Sequence, residues 1–423
     1  MSDVFTLLAA DGTVTDEPVR EPVLAHPPVT AHAPDTVHAP DTAHPGAPLT
    51  QRIAYAAAHV VPRTTADNTP GAPADLDWDA TLAFRHHLWS WGLGVADAMD
   101  TAQRNMGLDP AATRELVTRS AREAQSVGGR IVVGVTTDDL PDGSATEQQI
   151  IDAYLAQLHH AEDAGAGVVL MASRHLARLA QENGDDPALY RRVYARVIER
   201  AGAPVVLHWL GEAFDPALRG YFGGQQAPDT VLDVMRDAGE GVSGIKMSLL
   251  DARAEVALRS QLPTGVRMFT GDDFHYVDLV AGDGSRHSDA LLGAFAAFAP
   301  VASAAIRLLP DEAAYRALLG PTEALARHVF SAPTWYYKTG IAFLAWLNGH
   351  QSSPAMVGGL HAGRSLPHLS ETVRLANACG ALEDPALAAS RWHALLAVHG
   401  IDTSTAWRHG SAERTATAAG VLA

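Results

Sequence analysis

From about residue 52 to residue 288 the sequence alternates short apolar runs with longer amphipathic ones, and that alternation leaves few folds open. The apolar runs at 52–61, 92–96, 130–135, 168–171, 204–208, 241–251 and 267–270 are brief and mostly rich in β-branched residues, alanine or glycine, and a short segment at 285–288 is taken as an eighth strand. Such runs suit strands buried on both faces of a parallel sheet. The segments between them, at 77–91, 109–126, 146–164, 187–201, 230–238, 252–261 and from about 274, read as helices, and several open on an Asp, Thr or Pro that starts a helix. Eight strands alternating with helices predict an α/β fold, a (β/α)8 barrel over residues 50–310. From about residue 311 the pattern is helical throughout, which predicts a C-terminal helical extension over 311–423. Residues 1–49 read as an N-terminal arm. After a possible strand at 4–8 comes a proline-rich tract in which His-Ala-Pro-Asp-Thr occurs at 32–36 and again at 38–42. That arm is expected to be extended or disordered, because it has little apolar surface to offset ordering entropy.

Within the run 241–251, Gly-Val-Ser-Gly-Ile-Lys-Met-Ser-Leu-Leu-Asp, one charged residue sits among apolar ones: Lys246. Desolvation favours the neutral amine and lowers its pKa, and a neutral lysine in a pocket can attack a carbonyl to form a Schiff base. Only two of the chain's 31 basic residues are lysine, Lys246 and Lys338. A chain that otherwise uses arginine has kept lysine where a guanidinium, which does not deprotonate, could not do the same chemistry. Position alone leaves a second reading open, in which Lys246 reaches solvent or pairs with Asp251.

The stretch around Lys246 resembles the Schiff-base strand of the dihydrodipicolinate synthase and N-acetylneuraminate lyase superfamily, in which a glycine, an aliphatic residue and the reactive lysine precede an aspartate five positions on. Met268-Phe-Thr-Gly-Asp-Asp273 resembles the same superfamily's next strand, and Tyr336-Tyr-Lys338 and Arg364-Ser-Leu-Pro367 resemble parts of its C-terminal helices. The similarity spans roughly residues 51–400 and is nearest to a dihydrodipicolinate-synthase-like bacterial branch. It implies a class I aldolase barrel with Lys246 at the end of the sixth strand, imine chemistry and no cofactor. The barrel-plus-helices plan also leads us to expect a homo-oligomer.

Active sites of such barrels lie at the C-terminal ends of the strands, which makes the polar residues there the candidates. Lys246 is the expected amine. His208 stands where the superfamily's fifth strand carries a tyrosine, and an imidazole titrating near neutrality could shuttle protons there. Asp97, Asp100, Thr101, Asp272, Asp273 and Ser288 are the expected substrate-binding residues. The paired threonines that hold a 2-oxo acid in the superfamily are replaced by Ala98-Met-Asp-Thr-Ala102, and Ala213 stands where an arginine would hold a second acid. An aspartate repels a carboxylate, so the expected substrate is a small polyhydroxylated carbonyl compound, its hydroxyls donating to the aspartates. Two other readings stay open: a divalent-metal lyase or isomerase using His208, Glu212, Asp272, Asp273 and His275, and a non-catalytic barrel that binds a metabolite. The aromatic group Trp335, Tyr336 and Tyr337 reads as packing or an oligomer contact.

Composition narrows the partners. A net charge of −17 disfavours nucleic acid and anionic membrane surfaces. The single cysteine, Cys379, precludes an internal disulfide. With no apolar run of membrane-spanning length and no signal-like N-terminus, a cytoplasmic location is expected.

Overall fold

The computed structural model describes residues 4–22 and 48–401. Eight parallel strands close into a barrel in the order β10-β3-β4-β5-β6-β7-β8-β9. These are β3 (Ala54–Ala57), β4 (Gly94–Asp97), β5 (Ile131–Val135), β6 (Gly167–Leu170), β7 (Val205–Leu210), β8 (Val242–Ser248), β9 (Arg267–Thr270) and β10 (Asp289–Leu292). The helices that return the chain between them are α1 (Trp78–Ser90), α2 (Pro110–Val127), α3 (Glu147–Asp163), α4 (Arg174–Glu182) with α5 (Pro187–Ile198), α6 (Ala227–Ala238), α7 (Ala252–Arg259) and α8 (Tyr276–Ala281). After β10 comes α9 (Ala299–Arg307). The helix starts follow local chemistry: Asp77, Asp109 and Thr146 each accept a hydrogen bond from a first-turn N–H, and Thr146 with Gln149 forms a reciprocal capping box.

Strand alternation sorts each strand's side chains between two cores. Ala57, Ala96, Val132, Val169, Val206, Phe269 and Leu291 fill the barrel interior, with Met99 and Met171 packed among them. Their neighbours one residue away, such as Val95, Leu170 and Leu207, face the helices in the larger core. The interior is narrow enough that rings need glycine opposite them. A Cβ on Gly244 would lie 2.8 Å from the Phe269 ring.

Among the described residues five helices follow: α10 (Glu312–Leu319), α11 (Thr322–Val329), α12 (Tyr337–Leu347), α13 (Leu366–Cys379) and α14 (Pro385–Val398). Every residue of α12 is buried. The segment at residues 4–8 is a strand, β1 (Val4–Leu8), and it pairs with β2 (Val14–Pro18) in an antiparallel hairpin. The hairpin docks on the extension. The Trp392 indole donates to the Thr6 carbonyl at 2.6 Å, Ser370 accepts from the Leu8 amide at 2.7 Å, and Asn377 bonds both the Arg20 amide and the Pro18 carbonyl. The contacts that anchor this hairpin come from the other end of the chain, so the arm's own composition carries no sign of them. The histidine-containing repeat at 32–42 lies outside the described residues.

Two further differences from the sequence reading matter for the site. The eighth strand is Asp289–Leu292 rather than 285–288, which precedes it as a loop. Between β6 and β7 the chain forms an extra helix, α4, capped by Ser173.

Candidate active site

β7 and β8 are paired in register with His208 opposite Lys246. Both side chains point inward, on the face that carries Val206 and Gly244. Lys246 is 8 % exposed. Burial pushes its pKa down, opposed by the charges of Asp100 and Asp273. Among the described residues no carboxylate oxygen lies within ion-pair distance of its nitrogen. Asp251, the partner that would have made it structural, caps α7 instead, accepting from the Arg253 and Ala254 amides. Gly271 makes room for the lysine: a Cβ there would meet the Ser248 hydroxyl and lie 2.7 Å from Lys246 Cε.

His208 is fully buried, with Nε2 3.2 Å from Ser248 Oγ and Nδ1 without a partner. Burial, reinforced by Lys246, holds its pKa well below 6.5. The imidazole is therefore neutral at physiological pH, and the expectation of a histidine titrating near neutrality is corrected. Asp273 is the group in that range. It is buried, accepts one hydrogen bond from the Ala294 amide at 2.8 Å, and burial pushes its carboxyl up to about 7 against the pull of Lys246.

The other expected substrate-binding residues divide. Asp100 and Thr101 lie in a short 3-10 turn after β4. Thr101 Oγ1 is 2.8 Å from the hydroxyl of Tyr337, the first residue of α12, and Tyr337 feels both Asp100 and Asp273. Burial raises the Tyr337 phenol well above 10, so it keeps its proton. Asp97 is engaged elsewhere. It faces α1 and holds Arg85 through two hydrogen bonds of 2.8 and 3.0 Å, both side chains inaccessible. Asp272 is consumed by the amides of Phe274 and His275 and by the His275 ring at 2.9 Å. Ser288 precedes β10, at the N-terminal end of the barrel, where it bonds Glu255 and Arg259. An open cleft of about 370 Å³ at that end, lined by Arg259, Arg267, Arg286 and His287 among others, is thus remote from the lysine.

The sequence reads Tyr337 as packing or an oligomer contact and gives Lys338 no site role. Lys338 is also buried, donates to the Trp335 carbonyl at 3.1 Å and sits 4.7 Å from the Tyr337 ring centroid. Burial pushes its pKa down to about 8, and Asp100 again opposes the shift. Both lysines of the chain thus lie buried within electrostatic reach of one aspartate. The signal in the sequence was their rarity. The residues of the metal reading do not converge: Glu212 is exposed and paired with Arg219, and among the described residues the one group with metal-holding geometry is His87, His350 and Glu383. No described helix is long and apolar enough to cross a membrane.

The family described as "Protein of unknown function (DUF993)" matches residues 28–401. No curated protein matches. Among solved structures the chain is similar to dihydrodipicolinate synthase from Aquifex aeolicus, at 11 % identity and a TM-score of 0.58, covering 78 % of this chain and 99 % of that one. It is similar also to the dihydrodipicolinate synthase of Bacteroides thetaiotaomicron, with 15 % identity, a TM-score of 0.56 and coverage of 75 % and 97 %. A third is the 4-hydroxy-tetrahydrodipicolinate synthase of Methylacidiphilum fumariolicum SolV, with 18 % identity, a TM-score of 0.55 and coverage of 78 % and 99 %. At these identities the likeness establishes the barrel and its C-terminal helices, as the sequence resemblance implied.

Proposed function

We propose, from the premise that this chain belongs to the DUF993 family and has the fold of the dihydrodipicolinate synthases, that it is a Schiff-base-forming lyase or aldolase, or a dehydratase through the same imine. The observation that carries the reading is the placement of Lys246: inward at a strand end, nearly enclosed, depressed in pKa and free of an ion pair. Lys338 is the weaker candidate for the amine, because it sits on a helix and its nitrogen is already bonded to a backbone carbonyl.

In this reading the neutral amine of Lys246 adds to the substrate's carbonyl carbon, forming a C–N bond while one N–H proton passes to the former carbonyl oxygen. Protonation of the resulting hydroxyl lets water leave and the iminium form. Asp273, with a carboxyl pushed up to about 7 and within reach of the Lys246 charge, has the pKa an acid/base at neutral pH needs. His208, neutral, is an acceptor or donor through the open Nδ1, and Tyr337 with Thr101 supplies a protonated hydroxyl pair. The iminium then withdraws electrons from the adjacent carbon, where a C–C or C–O bond breaks or forms. The substrate in this reading is a small polyhydroxylated carbonyl compound. With Asp97 and Asp272 occupied, Asp100, Thr101 and Asp273 are the groups left to take its hydroxyls.

The test is reduction with borohydride in the presence of a mixture of sugar-derived aldehydes and keto acids, followed by peptide mass spectrometry. A stable adduct on the Lys246 peptide, absent from Lys246→Arg and kept in Lys338→Arg, is expected. An adduct that persists in Lys246→Arg, or none with any carbonyl, refutes the proposal; the second outcome would favour a metabolite-binding barrel without imine chemistry.

A further inference from the structure

Away from the barrel mouth, three side chains from separate segments meet at the seam between α1 and the C-terminal extension. His87 lies in the last turn of α1, His350 just beyond α12, and Glu383 just before α14. His350 Nε2 is 2.9 Å and His87 Nε2 3.4 Å from the same oxygen, Glu383 Oε1, and the three candidate donor atoms lie within 4.8 Å of one another. The two imidazoles meet at a tilt of 44° with centroids 4.2 Å apart, and Phe84 closes one side against His350 at 5.4 Å. The backbone holds this arrangement. The Glu383 amide donates to Asn348 Oδ1 at 3.0 Å, Asn348 in turn donates to the Ala381 carbonyl, and the His350 amide bonds the Ala345 carbonyl.

We infer that His87, His350 and Glu383 are a binding site for one zinc-class divalent cation that ties the first barrel helix to the C-terminal extension. A structural hydrogen-bonded pair needs one imidazole on one carboxylate. Here two imidazole nitrogens converge on a single carboxylate oxygen, an arrangement a cation rewards and a hydrogen-bond network does not require. Zinc bonds His nitrogen and carboxylate oxygen at about 2.0–2.2 Å, which sets tetrahedral ligand atoms roughly 3.3 Å apart. The two spacings to Glu383 bracket that value, so the ligands need only small rotations. Two nitrogens and one oxygen select a borderline cation over calcium or magnesium, which take oxygen ligands. The His87 side chain is 16 % exposed against 9 % for His350 and 8 % for Glu383, so the His87 side is the path for entry and the place for water as the fourth ligand.

The full-length protein, stripped of metal by chelation and dialysis, is titrated with Co²⁺ as the spectroscopic probe. The expected result is one equivalent bound, with the intense visible bands of four-coordinate cobalt, displaced by one equivalent of Zn²⁺, and a rise in Tm with either ion. Glu383→Gln and His350→Gln each lower the affinity at least 100-fold while leaving the far-ultraviolet dichroism unchanged. Should either variant misfold, His87→Gln, at the most exposed of the three side chains, gives the same test. Binding that survives the variants, or a weak six-coordinate spectrum only, places the cobalt on other histidines and overturns the inference.

Discussion

Replacing Lys338 by methionine is expected to make the protein more stable at pH 7, by an amount that shrinks as the pH rises. The side chain is 3 % exposed and its pKa falls from 10.5 to about 8 through burial. At about 1.36 kcal/mol per unit, the folded state is penalised by about 3 kcal/mol wherever the amine is charged in both states, which is below pH 8. The sign follows from proton counting. Between 8 and 10.5 the unfolded chain binds the proton and the folded chain does not, so wild-type stability climbs through that window. By pH 9.5 about 2 kcal/mol of the penalty is recovered. Methionine keeps the stem's volume and carries no charge, at the cost of the bond to the Trp335 carbonyl, roughly 1.5–3 kcal/mol. The absolute gain at pH 7 is therefore modest, and the informative quantity is its change with pH. Urea denaturation of both proteins at pH 7 and 9.5 measures it, because every other titrating group cancels in the difference. A wild-type-to-variant difference that is the same at both pH values would refute the assignment of Lys338 as a buried, easily deprotonated amine.

Gly271→Ala sets a methyl 2.7 Å from Lys246 Cε and against the Ser248 hydroxyl; overpacking of this kind costs about 1–3 kcal/mol. The folded variant is expected to lose borohydride trapping, and unchanged trapping would contradict the close approach. Asp97→Asn leaves Arg85 buried and unpaired, a loss of about 3–5 kcal/mol; trapping on Lys246 per folded molecule should persist, whereas lost trapping at unchanged Tm would return Asp97 to the substrate site. Glu255, buried against Ser288, has its carboxyl pushed up to about 7 from 4.5. Its raised pKa penalises the fold by about 3 kcal/mol above pH 7 and not below 4.5, so Glu255→Gln should gain on wild type between urea titrations at pH 4.5 and pH 8. An identical pH slope in the two proteins would contradict it.

The barrel was legible because its strands are short, apolar and separated by well-capped helices, and because strand periodicity fixes which residues face inward. Lys246 could be found the same way. Residues 14–18 could not, since they pair with β1, which Ser370 and Trp392 hold in place, and Asn377 bonds Pro18 from more than 350 positions away. The eighth strand slipped by four residues because the polar Ser285–Ser288 was taken in place of the adjoining Asp289–Leu292, whose Ala-Leu-Leu run is the one buried and paired with β3 and β9. That slip carried Ser288 into the candidate site. Asp97 and Asp272 were placed correctly along the chain, yet what each carboxylate touches depends on Arg85 and His275, and the sequence pattern of an acidic strand end is the same for a substrate ligand and an ion-pair partner. Tyr337 reached the mouth through the packing of α12, which no local pattern specifies.

The imine chemistry depends on the charge state of one amine, and the chain's two lysines make that measurable directly. Lysine labelled with ¹³C at Cε gives two resonances, and Lys338→Met identifies which belongs to Lys246. Followed against pH, that resonance is expected to show a titration midpoint below the ordinary value of 10.5. A midpoint at or above 10.5 would mean an amine held charged by a close partner, and would contradict the imine chemistry proposed for it.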